Sequence, residues 1–340
     1  MNINNNMNMN WVHNKTINSK NVDKMLSICL KTRQFTNGGE NVNSLEQFIR
    51  NKFEISQDKA VICVTNATVG LWCLCNSIEF TDNTNIKWCT QSFTFPPSAQ
   101  GLLKDTLIID IDSGGGLDLN LVPEECKGII VTNIFGNVVD IDKYEDWAKK
   151  NNKYLVFDNA ATAYTFYKGR NSCNYGNGSI ISFHHTKPFG FGEGGAIIID
   201  SKYEEGARRL INFGISNEKK LKWNNIGGNY KMSEINAIYI LQYLEDHFDN
   251  IVKHHTEMYK KYKNKYELYP NFGDEDKTVL SCFCLLDNKY DNNFINMLID
   301  KGIMCRKYYN PLIETIVSMK MYNKILCYPL NLDVSEIIGL

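Results

Sequence analysis

The sequence predicts an α/β protein: a three-layer, mainly parallel sheet covered by helices, with a smaller C-terminal α+β domain. Three observations predict it. Short apolar runs alternate with helical segments over roughly two hundred residues, the pattern of consecutive β-α units. The runs are continuous, as in Ala60–Val64 (AVICV), and do not alternate with polar residues, so they suit strands buried on both faces. From Ser233 the texture changes to a long helical stretch and then short mixed elements.

Taken in order, residues 1–20 begin MNINNNMNMN and read as a disordered polar tail. Val22–Leu30 has the apolar face of a short helix, and Thr36–Val42 reads as a turn. Asn43 followed by Glu46 has capping-box spacing and predicts the start of a second helix. After the strand Ala60–Val64 come a helix over Thr68–Phe80, a strand over Ile86–Cys89, a helix over Pro97–Leu103 and a strand over Thr106–Ile111. Gly128–Asn133 and Tyr154–Phe157 are predicted strands flanking a helix over Asp142–Lys150, with Glu145 at its capping-box position. Ser179–Phe183 and Ala196–Ile199 are strands joined by a glycine-rich connection, and Ser201 opens a helix with Glu204 as its box partner. Ser233–Tyr262 reads as one long helix or two in tandem, followed by a strand over Val279–Leu286, a helix over Asn293–Lys301 and a strand over Ile303–Tyr308. The domain change falls within the long helix, giving a large domain over 21–245 and a small one over 246–340.

Composition bounds the function. The 340 residues carry 37 basic against 38 acidic side chains, a net charge of −1, which argues against nucleic-acid or membrane binding through bulk charge. No apolar run approaches the ~18–20 residues of a membrane span. The 11 cysteines are irregularly spaced without a C-x-x-C motif and read as buried reduced thiols of a cytoplasmic protein. Cys73/Cys75 and Cys282/Cys284 are C-x-C pairs, which place both thiols on one face wherever the chain is a strand. The histidines lack H-E-x-x-H spacing, so no metal site is expected, and His254 and His255 read as a solvated helix face.

Three strand ends carry chemistry. Asn66-Ala67-Thr68 follows a strand and opens a helix, which serves either as a plain N-cap or as an anion site. Asp158 ends a buried strand and so needs a partner. A helix N–H, a metal, a histidine or the protonated nitrogen of a pyridine ring would each satisfy it. Lys187 lies on the tight connection Ser182–Gly195. The lysine precedes the glycines and a strand follows them, so neither a Walker phosphate loop nor a dinucleotide turn fits. It is either a solvated lysine or one set among aromatic groups, where burial would make it a Schiff-base nucleophile.

In combination and in this order, the motifs resemble the DegT/StrS-type nucleotide-sugar aminotransferases, fold-type I enzymes that use pyridoxal 5'-phosphate (PLP). The residues that carry the resemblance are TNAT at 65–68, QSFTF at 91–95, NIFGNVVDID at 133–142, FDNAAT at 157–162, YKGR at 167–170, SFHHTKPFGFGEGG at 182–195 and GGNYKMSEINA at 227–237. By position, the resemblance implies that Lys187 is the catalytic Schiff-base lysine and that Asp158 binds the pyridine nitrogen. It implies that Ala67, Thr68 and Ser182 hold the cofactor phosphate, and that Phe95 packs on the ring, with Phe93 the second choice. Asn229 would reach the phosphate of a neighbouring subunit in a homodimer with shared sites. Lys231, His185 and Phe93 would face the substrate, with Lys231 standing where the family commonly has Arg.

One position departs. The family commonly has Gln or His three residues after the aspartate, and this chain has Ala161 followed by Thr162. The related sugar dehydratases replace the lysine with His, so Lys187 favours transamination. The activity that the resemblance implies is transfer of an amino group from an amino acid, L-glutamate, to a 4-keto-6-deoxy nucleotide sugar, giving a 4-amino sugar. A C3-keto sugar substrate and a non-catalytic PLP-binding role are the alternatives.

Overall fold

The computed structural model describes Trp11 and residues 15–215, 226–300 and 304–329. Helices α1 (Ser19–Thr32) and α2 (Glu40–Lys52) lead into β1 (Lys59–Val64) and α3 (Ala67–Thr81). Next come β2 (Trp88–Gln91), β3 (Leu107–Ile109), β4 (Gly128–Thr132), α4 (Ile141–Asn151) and β5 (Tyr154–Asp158). A small hairpin, β6 (Phe166–Tyr167) and β7 (Arg170–Asn171), precedes β8 (Gly178–Ser182), β9 (Gly195–Asp200) and α5 (Glu204–Leu210). Helix α6 (Glu234–Lys263) is unbroken and leads to β10 (Phe283–Leu286), α7 (Asn292–Asp300), α8 (Ile316–Lys324) and β11 (Ile325–Tyr328).

Seven strands form one sheet in the order β1-β9-β8-β5-β4-β2-β3. Strand β9 runs antiparallel to both of its neighbours, and the other pairs are parallel. Both faces are covered, which is why the strands read as continuous apolar runs. Along β1, Val61 and Cys63 join the core beneath α2 and α6, while Ala60, Ile62 and Val64 join the core beneath α3 and α5. Helix α6 serves two cores. Its Ala237, Ile240, Leu241, Leu244 and Phe248 pack toward the large sheet, whereas Tyr259 and Tyr262 pack with Phe283, Leu298 and Tyr328 of the C-terminal part.

Several local expectations differ from the structure for long-range reasons. Helix α2 starts at Glu40, not after Asn43, because the Glu234 carboxylate accepts the Gly39 and Asn41 N–H groups at 2.8 Å each. That carboxylate arrives from the start of α6 and does the work expected of a local cap. Glu46 instead accepts the Cys63 N–H at 2.9 Å and pairs with Arg208 at 3.0 Å. Glu145 likewise accepts the Gly176 N–H at 3.0 Å, across to another element. Pro97–Leu103 is not a helix but two 3-10 turns, Pro96–Ser98 and Gly101–Leu103, and the segment after Ser201 begins as a 3-10 turn. Cys73 and Cys75 lie in α3. The strand expected over Ile303–Tyr308 is reduced to a single bridge, Arg306 to Cys327, with Ile303 itself outside the described residues. His255 is not solvated: it is buried, and its Nδ1–H donates to the Leu280 carbonyl at 2.8 Å. The end of the expected tail is placed, with Asn18 capping α1; residues 1–10 and 12–14 lie outside the described residues.

Candidate active site

The C-terminal ends of the parallel strands meet at one cavity of about 750 Å³. This is where open α/β sheets bind ligands, because the following loops and helix N-termini converge there. Ala67, Thr68, Phe95, Asp158, Ser182 and Lys187 all line it, together with Ala161. Parallel register does the positioning. Thr132 of β4 stands beside Asp158 of β5, and Asp158 beside Ile180 of β8, two residues short of Ser182.

Asp158 is buried. The Ser98 hydroxyl donates to its Oδ2 at 3.0 Å and the Ala160 N–H to its Oδ1 at 3.1 Å. Burial raises its pKa above the ordinary carboxylate value, opposed by those two bonds and by the charge of Lys187. A carboxylate so placed gains from a cationic partner inside the cavity. Lys187 shows the complementary effect: burial lowers its pKa, which favours the neutral, nucleophilic amine.

The phosphate end is built from α3. Asn66 accepts the Val69 N–H at 3.1 Å as N-cap, and Ala67 and Thr68 are the first two helical residues, whose N–H groups have no acceptor within the helix. Gly195 is what allows this approach. A Cβ there would lie 2.8 Å from the Ala67 nitrogen, so the glycine run serves packing of β9 against the α3 terminus. Gly190 does the same for the lysine loop, because its Cβ would sit 2.0 Å from the His184 carbonyl oxygen. The loop is closed by N–H bonds from Lys187 to His184 O at 2.8 Å and from Gly190 to Lys187 O at 3.0 Å.

Other expected residues lie elsewhere in this chain. Phe93 is fully buried, stacked on Tyr269 at 6.0 Å between ring centroids, and does not line the cavity. His184 lines the cavity and His185 does not; His185 packs edge-on against Phe191. Lys231 lies outside the lining, donating to Asn212 Oδ1 at 2.8 Å with its Nζ over the Phe213 ring. Asn229 is exposed and bridges to Asn212. The departure at 161–162 is resolved in geometry. Ala161 lines the cavity, while the Thr162 hydroxyl donates to Asn133 O at 2.6 Å and accepts the Gly136 N–H at 3.1 Å. Thr162 is therefore committed to the loop after β4.

The opposite wall carries Cys282 and four residues that the sequence did not mark: Trp11, Arg306, Tyr308 and Tyr309. Arg306 stacks over the Trp11 ring and bonds the Tyr308 hydroxyl, and Tyr309 packs on Phe95 at 5.4 Å. No spacing rule predicts these, because they come from irregular segments far apart in sequence. Lys15 was also hidden in the polar N-terminal stretch. It is partly buried, donates to the carbonyls of Lys187 (2.6 Å) and Gly190, and lies over the Tyr243 ring at 4.8 Å. It thus ties the N-terminal segment to the lysine loop.

The model of the DegT/DnrJ/EryC1/StrS aminotransferase family matches residues 16–337. The chain belongs to this family. It is a PLP-dependent aminotransferase, and the large sheet is the fold-type I arrangement. It is similar to the dTDP-4-amino-4,6-dideoxy-D-glucose transaminase of Shigella dysenteriae, 27% identical over 92% of this chain and 90% of that one. Among solved structures, PseC of Helicobacter pylori, an aminotransferase involved in the biosynthesis of pseudoaminic acid, is 18% identical with a TM-score of 0.79, covering 97% of this chain and 96% of that one. NtdA of Bacillus subtilis, solved with bound cofactor PMP, is 18% identical with a TM-score of 0.75, covering 92% of this chain and 77% of that one.

The cavity of this aminotransferase fits its cofactor chemically. A buried carboxylate suits a pyridinium, a helix N-terminus suits a phosphate, and a desolvated amine suits an aldehyde. When bound, PLP supplies an electron sink for the bond-breaking step.

Proposed function

We propose that the enzyme moves an amino group from an amino acid, L-glutamate first, to the keto carbon of a 4-keto-6-deoxy nucleotide sugar. The product is a 4-amino sugar of the viosamine or perosamine type. The observation that carries this reading is that Lys187, Asp158 and the α3 N-terminus line one cavity. The transaminase that is similar over nine-tenths of the chain supports the C4 assignment.

The division of labour follows from position. Asp158 holds the cofactor nitrogen charged, Ala67, Thr68 and Ser182 hold its phosphate, and Phe95 covers the ring. Lys187 Nζ anchors the cofactor and then moves the proton from the donor's α-carbon. Arg306, at the far wall, offers a fixed charge to an anionic substrate. Lys231 and Asn229 act on a sugar nucleotide and on a partner's phosphate within a homodimer. Eleven free buried thiols support a cytoplasmic setting. Among the described residues, no helix is long and apolar enough to cross a membrane.

The test is incubation of the PLP-loaded enzyme with L-glutamate and UDP-, GDP- and dTDP-linked keto sugars, read by mass spectrometry. An amino sugar at C4 is expected, and amination at C3 would move the regiochemistry. A second reading, a PLP-binding member without catalysis, is favoured by Ala161, which puts a methyl group where a hydrogen-bonding side chain is common. Bound PLP with no half-reaction toward any amino acid would establish it and overturn the first.

A further inference from the structure

We propose that Cys282, Cys284 and Cys327 form a binding site for a divalent thiophilic ion, Zn(II) or Cd(II), beside the cofactor cavity. The site is set by strand register. Cys284 stands directly opposite Cys327 across the antiparallel pair β10 and β11. Cys282 lies in the bend just before β10 and brings its thiol against that of Cys284. Both backbone bonds of Cys327 go outward to Arg306, N–H to O at 2.8 Å and O from N–H at 2.9 Å. The Cys284–Cys327 pair is therefore of the non-hydrogen-bonded kind, in which side chains approach most closely.

The sulfurs meet accordingly. Cys282 Sγ lies 3.5 Å from Cys284 Sγ, and Cys284 Sγ lies 3.2 Å from Cys327 Sγ. All three fall within 4.8 Å of one another, and all three residues are buried. An ion with Zn–S bonds of ~2.3 Å in tetrahedral geometry requires sulfurs ~3.8 Å apart. Reaching that spacing widens the Cys284–Cys327 separation from 3.2 Å by about 0.6 Å and the Cys282–Cys284 separation from 3.5 Å by about 0.3 Å.

Three thiolates leave one tetrahedral position open. Cys282 and Ser281 line the cofactor cavity, which gives the ion a route in and gives a water the fourth place. On binding, three S–H bonds break, three metal–sulfur bonds form, and three protons leave to solvent, with no change in oxidation state. Three thiolates and a divalent ion carry one net negative charge, and Arg306, a permanent cation, lines the same cavity. A monovalent ion would leave two negative charges in this aromatic core, which burial opposes.

The test is titration of the full-length, phosphine-reduced protein with Cd(II) under argon. The expected result is a thiolate-to-cadmium charge-transfer band saturating at one ion per chain with release of three protons. Cys284→Ser and Cys327→Ser should each abolish that saturating phase, and Cys89→Ser should keep it. X-ray absorption of the Zn-loaded wild type should count three sulfur neighbours, and this reading survives if a variant fails to fold. Absence of the band, a band unchanged in Cys284→Ser, or a zinc shell without sulfur would overturn the proposal. So would a Cys284–Cys327 disulfide in protein isolated without reductant. None of these readouts depends on transaminase activity, so the two proposals fail separately.

Discussion

The two walls of the cavity are built in different ways. The sheet-side wall holds Asp158 and Ser182 in paired strands, Ala67 and Thr68 in the first turn of α3 behind the Asn66 cap, and Lys187 on a loop closed by its own backbone bonds. The opposite wall holds Trp11, Arg306, Tyr308 and Tyr309 on irregular chain, positioned mainly by ring packing and by the single bridge at Arg306. The difference teaches where chemistry and selectivity divide. In the roles proposed above, groups that would meet the cofactor at fixed angles sit on hydrogen-bonded backbone, and groups that would meet a variable substrate sit on segments held by side chains.

Breaking the sheet-side wall should have the largest effects. Lys187→Ala should lower kcat by ~10³-fold or more and remove the visible band of lysine-bound cofactor, with little change in thermal stability. A retained band would place the anchoring amine elsewhere. Asp158→Asn should come next, with kcat down by ~10²–10³-fold and a weaker hold on the cofactor, checked by steady-state rates and cofactor titration.

The opposite wall should respond in binding. Arg306→Gln removes a charge-assisted bond of ~1.5–3 kcal/mol, so KM for an anionic substrate should rise about tenfold or more while kcat changes little. An equal loss in kcat would mean that this wall shares the chemistry and would erase the comparison.

The smallest effect concerns the tie between the N-terminal segment and the lysine loop. Burial lowers the pKa of Lys15 from 10.5 to about 7. Between those values the unfolded chain binds the proton that the folded chain has released, so stability should rise as pH climbs from about 7 toward 10.5. Lys15→Met should remove that slope, measured by denaturant midpoints across the range. A slope unchanged in the variant would assign it to other groups.

The sheet was legible because its strands are buried on both faces, which leaves apolar runs that no surface segment mimics. Asp158 and Lys187 were legible because a charged residue ending such a run, or set on a glycine-rich turn beside it, stands out against its neighbours. The start of α2 differs from the expectation for a physical reason: its capping carboxylate, Glu234, is supplied from the start of α6, nearly two hundred residues away. The placement of His184 rather than His185 in the cavity turns on the path of one tight loop, and adjacent identical residues carry no signal to separate them.

By itself the sequence determined the layered architecture and the order in which chemical groups arrive at strand ends, since both are written in local patterns of burial and breaks in that pattern. Only the tertiary structure decided which groups share the cavity, that Thr162 is turned away from it, that Lys15 grips the lysine loop, and that Cys327 of β11 converges on Cys282 and Cys284 at β10. Those outcomes depend on strand register and on contacts between segments far apart in the chain, and no local spacing encodes them.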